Sequence, residues 1–192
     1  MNIGVLGGTF NPPHLGHLIV AERVREELGL AKILFIPSAV SPHKQHLDLV
    51  DPSCRMEMVQ LALLGQQFFE ASDLEVSRGG VSYTVDTLEH LKSMYQGVRL
   101  HLLIGMDNLG EFNTWRLPEK IGELAQVVVM TRPGFQDHPV SDGSRMKFML
   151  CQVPEIGISS RDIRERVKQG KSIRYLVPKP VESYIHYRKL YR

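Results

Sequence analysis

Long apolar runs, cysteines and excess charge are all scarce in this chain of 192 residues, and each shortage excludes something. No apolar stretch approaches the roughly 20 residues that a spanning helix needs, so no membrane segment is expected. Only two cysteines occur, Cys54 and Cys151, far apart and without a CxxC pair. A disulfide scaffold and a cysteine zinc site are therefore not expected, and the thiols suit a reducing compartment. The formal net charge is only +2, which gives no reason to expect nucleic acid or an acidic membrane surface as a partner. A small anionic metabolite needs only local positive groups and is not excluded. Neither GxxxxGK(S/T) nor GxGxxG is present, so the chain carries neither a P-loop nor a dinucleotide fingerprint. Met1 runs straight into apolar residues without a basic start or a small-residue cleavage site, so a cytoplasmic location is the expectation.

What is present reads as an ordinary globular sequence, 43% hydrophobic and 23% charged, long enough for one sizeable core; residues 1–192 are expected to form a single domain. Strand-like and helix-like segments alternate. Ile3–Leu6, Ile33–Ile36, Leu100–Ile104 and Val127–Met130 are short apolar runs closed by glycine, proline or polar residues, the signature of buried strands. Phe68–Val76 is expected to be a further strand. Between them lie helical patterns: one entering at Leu18–Val24, one opened by Asp51-Pro52-Ser53 and ending near Gly65, and one over Tyr83–Tyr95. A proline-started helix is expected within Tyr175–His186. Such alternation predicts an α/β fold, a doubly wound parallel sheet covered on both faces. Ligands of such sheets sit beyond the carboxyl ends of the strands. Four segments fall there: Gly7–His17, Ser38–Lys44, Gly105–Asn108 and Thr131–Gly134.

The richest of these is Gly7-Gly8-Thr9-Phe10-Asn11-Pro12-Pro13-His14-Leu15-Gly16-His17, with three glycines, two prolines and two histidines in eleven residues. A strand, a glycine turn and a helix start direct backbone N–H groups and the positive helix end at an anion. The glycines allow close backbone approach, and the prolines favour a helix just after them. His14 and His17, three apart, share a face and can donate hydrogen bonds to phosphate or leaving-group oxygens. His43 and His46 repeat the spacing, but no carboxylate or cysteine completes a ligand set, so no protein-held metal is expected. Ile158-Ser159-Ser160-Arg161-Asp162-Ile163-Arg164 is a second dense motif. Ser159 with Asp162 three later forms a capping-box pattern. A capped helix start with an arginine one turn inside also suits a polyphosphate.

Gly8–His17 resembles the signature of the HxGH nucleotidyltransferase superfamily, and Ile158–Arg164 resembles its second signature, ISSxxIR. The two lie more than 140 residues apart and in the expected order. Ser82-Tyr83-Thr84-Val85-Asp86-Thr87, otherwise read as a helix start capped by Ser82 or Thr84, resembles the segment placed around the pyridine ring by the nicotinate branch of that superfamily. The C-terminal run Tyr175–His186 is similar to that branch too, so the resemblance spans essentially the whole chain. It implies a Rossmann-like fold of nucleotidyltransferase type and adenylyl transfer from ATP to nicotinate mononucleotide, with Mg²⁺ carried by the ATP.

The roles it implies are these. Gly7, Gly8, Thr9, Phe10, His14, His17, Lys44, Gly105, Asp107, Ile158, Ser159, Ser160 and Arg164 would bind ATP. His14, His17, Lys44 and Arg164 would act in catalysis, His17 near the α-phosphate. Tyr83, Thr84, Asp107, Trp115 and Arg132 would bind the pyridine nucleotide, with Trp115 stacking on its base. Many family members carry aspartate where this chain has Asn11, which removes a charge beside the phosphates. Transfer to nicotinamide mononucleotide or to phosphopantetheine, or a non-catalytic nucleotide sensor, are the alternatives. A homo-oligomer is compatible with the sequence.

Overall fold

The computed structural model describes residues 1–42, 49–131 and 147–192. Among them six parallel strands form one sheet. β1 (Asn2–Gly8) is followed by α1 (Leu15–Glu27), β2 (Lys32–Pro37), α2 (Pro52–Ala62), β3 (Phe69–Ala71), α3 (Leu74–Arg78) and α4 (Thr84–Met94). β4 (Arg99–Gly105), α5 (Met106–Glu111), a short 3₁₀ turn, α6 (Pro118–Leu124) and β5 (Ala125–Thr131) come next, then β6 (Met149–Gln152), α7 (Ser160–Lys168) and α8 (Lys179–Tyr187). The strand order is β3-β2-β1-β4-β5-β6, and every ladder is parallel. This is the expected doubly wound α/β fold. From β1 the chain winds outward through β2 to one edge, then returns to β4 and winds to the other. The switch point lies between β1 and β4, where the crevice beyond the strand ends opens.

Because both faces are covered, the central strands are apolar on both sides: Ile3 and Val5 face one core cluster, Leu6 the other. α4 sends Val85, Leu88 and Leu91 into the first cluster; α1 sends Ala21 and Val24 into the second. A third cluster joins α2 to α7 and α8 through Met58, Ile163, Val181 and Ile185. It packs the C-terminal helices beside the end of β1 and so brings the two sequence motifs together.

The expected strand over Phe68–Val76 is corrected. Only Phe69–Ala71 pairs, and only with β2, so it is an edge strand of three residues. From Leu74 the chain turns into α3, and Glu75 is buried rather than alternating to solvent. Short edge strands expose few unpaired backbone groups, which is a common reason for ending them early. β6, at the opposite edge, was not anticipated.

Candidate active site

The Gly7–His17 turn is held from three directions. The Asn11–Pro12 peptide is cis, and Phe10 adopts φ 46° with its ring 2% exposed. A bulky residue in the left-handed region is unfavourable by itself. Burial of the Phe10 ring against Phe35 and edge-on against His17 offsets that. Phe10 therefore supports the site from beneath, and any ligand contact it makes is through its backbone.

From a second direction come the residues of the other motif. The Ser160 hydroxyl donates to the Pro12 carbonyl at 2.8 Å, and Arg164 Nη1 donates to the Asn11 carbonyl at 2.9 Å. Ser159 caps α7, its Oγ accepting from the Asp162 N–H at 3.1 Å. From the third direction, the Tyr191 hydroxyl donates to Asn11 Oδ1 at 2.9 Å. Asn11 is thus 1% exposed and anchors the C-terminal segment, a structural role that the motif alone did not suggest.

His14 is the N-cap of α1, and its backbone N–H donates to His17 Nδ1 at 3.1 Å. An accepting Nδ1 places the proton of neutral His17 on Nε2, fixing the tautomer as a donor. The two imidazoles stack with centroids 3.7 Å apart. Burial pushes the His14 pKa down to about 4, so His14 is neutral at physiological pH. Gly16 lies under that pair. A Cβ there would come within 3.0 Å of His14 Nδ1 and 3.1 Å of Ile156 Cγ2, so a larger residue between the histidines would fit only if these side chains gave by a few tenths of an ångström. The helix start is less open to anions than a bare terminus: the Leu15 N–H donates to the Leu176 carbonyl at 2.9 Å, and the His17 N–H to the His14 carbonyl at 3.0 Å.

Two cavities flank this turn. The larger, about 410 Å³, is lined by Gly7, Gly8 and Thr9 from the turn, Tyr83 and Thr84 from the start of α4, and Trp115. Nothing would meet a Cβ at Gly7 within 4 Å, so the backbone there borders open space. Trp115 is half-buried, tilted against Phe112 at 5.1 Å on one side while bordering the cavity on the other, so it belongs to the core and the pocket at once. The smaller cavity, about 220 Å³, is lined by His14, His17, Gly105, Asp107 and Ile158. Asp107 borders this second cavity and its neighbour Asn108 the first.

Ser82 does not cap α4. The cap position is Tyr83, and Ser82 Oγ instead accepts from the Ala39 N–H at 3.0 Å, tying α4 to the end of β2. Lys44 and Arg132 lie outside the described residues.

Several lining residues escaped the sequence reading. Arg116 borders the larger cavity, its guanidinium 4.8 Å from the Tyr83 ring centroid and 3.4 Å from Asp86. Glu75 borders it too, accepting from the Thr87 hydroxyl at 2.7 Å; burial raises its pKa against the lowering effect of its hydroxyl partners. Only its misread secondary structure hid it. Among the described residues no three His, Cys, Asp or Glu side chains gather to hold a metal ion.

Residues 5–166 match the cytidylyltransferase-like family. Over nearly its full length the chain is similar to proteins named "probable nicotinate-nucleotide adenylyltransferase". That of Desulfitobacterium hafniense (strain DSM 10664 / DCB-2) is 42% identical, covering 99% of this chain and 95% of the relative. That of Moorella thermoacetica is 40% identical, covering 99% and 91%. Among solved structures, the Plasmodium falciparum nicotinic acid mononucleotide adenylyltransferase complexed with NaAD superposes with a TM-score of 0.80 at 19% identity, covering 99% of this chain and 97% of that one. The likeness at that identity concerns the fold.

Proposed function

Because this chain belongs to the cytidylyltransferase-like family, and within it to the nicotinate-nucleotide adenylyltransferases, we propose that it transfers the adenylyl group of ATP to nicotinate mononucleotide, yielding deamido-NAD and pyrophosphate. The observation that carries this reading is the pair of cavities on opposite sides of one turn, sharing the Gly7–His17 and Gly105–Asn108 walls. One is flanked by Trp115 and Tyr83, whose aromatic faces suit a flat heterocycle; the other lies against the histidine pair and Asp107. A two-substrate transfer needs such adjoining sites, with the reacting phosphates meeting at the turn.

The nucleophile is an oxygen of the acceptor's 5′-phosphate, already ionised at neutral pH, so no general base is needed. It attacks the α-phosphorus of ATP; the new P–O bond forms as the bond to the β-phosphate oxygen breaks, and the electron pair leaves with pyrophosphate. Catalysis then consists of positioning and charge neutralisation. His17, with its donor on Nε2, serves the α-phosphate; neutral His14 holds the stack in place. Arg164 uses one of five donors on Asn11 and keeps the others for departing pyrophosphate, a task in which Ser159, Ser160 and Lys44 would share. Asp107, which with Glu155 is one of two carboxylates bordering the histidine cavity, would orient a Mg²⁺ ion brought by ATP, and that ion would neutralise phosphate charge. Thr84, Tyr83 and Trp115 frame the pyridine, and Arg132 contacts phosphate or ribose.

The choice of nicotinate over nicotinamide mononucleotide is supported by the relatives, which are named as nicotinate-nucleotide adenylyltransferases. We take residues 1–192 to act as one domain, supported by the bonds between the two motifs, and place it in the cytoplasm, where its unpaired cysteines would stay reduced. The test is pyrophosphate release with ATP and Mg²⁺ when nicotinate mononucleotide, nicotinamide mononucleotide and phosphopantetheine are offered in parallel. Strong preference for the first is expected. Preference for another would move the acceptor, and ATP binding without turnover on any would make the chain a sensor.

A further inference from the structure

Arg55 stands where a helix should carry an apolar residue. The buried stripe of α2 runs through Arg55, Met58, Val59 and Ala62, and Arg55 is 1% exposed. Each of its three guanidinium nitrogens donates to a neutral acceptor. Nη1 donates to the Thr9 carbonyl at 2.9 Å, Nη2 to the Ala39 carbonyl at 2.9 Å and Nε to the Val50 carbonyl at 3.0 Å. None of the ion pairs among the described residues includes it. Burial lowers its pKa, but arginine stays protonated in proteins. Asp51, one turn earlier, attracts the charge without forming an ion pair; a desolvated cation with no ion-pair partner is costly, and a neutral side chain at this position would avoid that cost.

The acceptors show what the charge faces. Thr9 lies in the phosphate turn and borders the larger cavity, so the cation sits directly behind the backbone that meets the ligand. Ala39 and Val50 are the two ends of the segment joining β2 to α2. We infer that Arg55 is the buried half of the anion site, a positioning residue whose counter-ion is the phosphate of the bound substrate, which it never touches. This rests on the adenylyl-transfer reading. Its charge lowers the potential energy of an anion at the turn through a medium that screens poorly. By holding the Thr9 carbonyl it also polarises the Thr9–Phe10 peptide, strengthening the N–H on the far side of that unit as a donor. A residue acting only as a clamp would need the three hydrogen bonds but not the charge.

Two variants separate these roles: Arg55→Met, of similar length and neutral, and Arg55→Lys, which keeps the charge but cannot span three carbonyls. Calorimetric titration with pyrophosphate, Mg-ATP and uncharged adenosine reads each. Arg55→Met is expected to weaken pyrophosphate and ATP by about ten-fold or more while adenosine changes by less than about two-fold, and Arg55→Lys to keep pyrophosphate affinity within about three-fold of wild type. A smaller loss of pyrophosphate in Arg55→Met, or equal losses for ATP and adenosine, would overturn the inference. Should Arg55→Met fail to fold, a ten-fold loss of pyrophosphate affinity in Arg55→Lys overturns it equally. Wild-type turnover with nicotinate mononucleotide is run alongside. Its absence with pyrophosphate binding intact would count against the proposed reaction and leave the Arg55 comparison readable.

Discussion

The burial of His14 has a consequence for stability that can be worked through numerically. The imidazole is 8% exposed and its pKa is pushed down from 6.5 to about 4. Above pH 6.5 the ring is neutral in both the folded and unfolded chain, so it contributes no pH dependence. Between pH 6.5 and 4 the unfolded chain binds a proton that the folded chain does not, and stability falls as pH falls. The slope approaches 1.36 kcal/mol per pH unit, accumulating to about 3 kcal/mol below pH 4. Against a typical total of about 5–15 kcal/mol this is large. The assay is urea unfolding of the ligand-free protein from pH 7.5 to 4.5, for wild type and His14→Gln. Other titrating groups are shared, so they largely cancel in the difference. Wild type should lose about 2.5 kcal/mol more than the variant by pH 4.5. A difference that stays flat across this range would mean that His14 protonates freely in the folded chain, and the account of a ring held neutral by burial would be wrong.

The other expectations concern turnover and packing. On the proposed mechanism, in which the His17 Nε2 donor stabilises developing charge, His17→Ala should lower kcat by about 10² or more; steady-state kinetics near wild type would remove that role. Trp115→Ala should chiefly raise KM for the pyridine nucleotide and spare ATP, because Trp115 borders only one of the two cavities; an unchanged KM would assign the ring to the core alone. Gly16→Ala should displace the His14 ring, costing about 1–3 kcal/mol by overpacking and lowering kcat as well; a variant with wild-type melting temperature and turnover would refute the close fit.

Some of this was legible before any coordinates because its causes are local. The Gly7–His17 turn is specified by glycine, proline and histidine chemistry within eleven residues, and the structure stacks the two imidazoles as their spacing requires. Asp51-Pro52-Ser53 opens α2 with the Asp51 carboxylate accepting from the Ser53 N–H at 2.8 Å, and Ser159 caps α7. Apolar runs with short connections were enough for a parallel sheet, since only a strand covered on both faces is apolar throughout. The expected roles of Lys44 and Arg132 fall outside the described residues.

Tertiary structure decided what depends on partners distant in sequence. Phe68–Val76 alternates well enough for a strand, but an edge position ended it after three paired residues and buried Glu75. Ser82 has the chemistry of a cap, yet its hydroxyl accepts from the Ala39 N–H just beyond β2. Arg164 looked free for phosphate, and its bond to the Asn11 carbonyl comes from a residue 153 positions away. Arg55 gave no signal beyond being a charge on an apolar stripe. The sequence by itself determined the glycine- and proline-rich turn, the histidine pair and the class of fold, because propensity, capping and periodicity act over a few residues. Only the folded chain decided that the site is two cavities sharing one turn and that a buried cation stands behind it, because those follow from which strand ends the sheet order brings side by side.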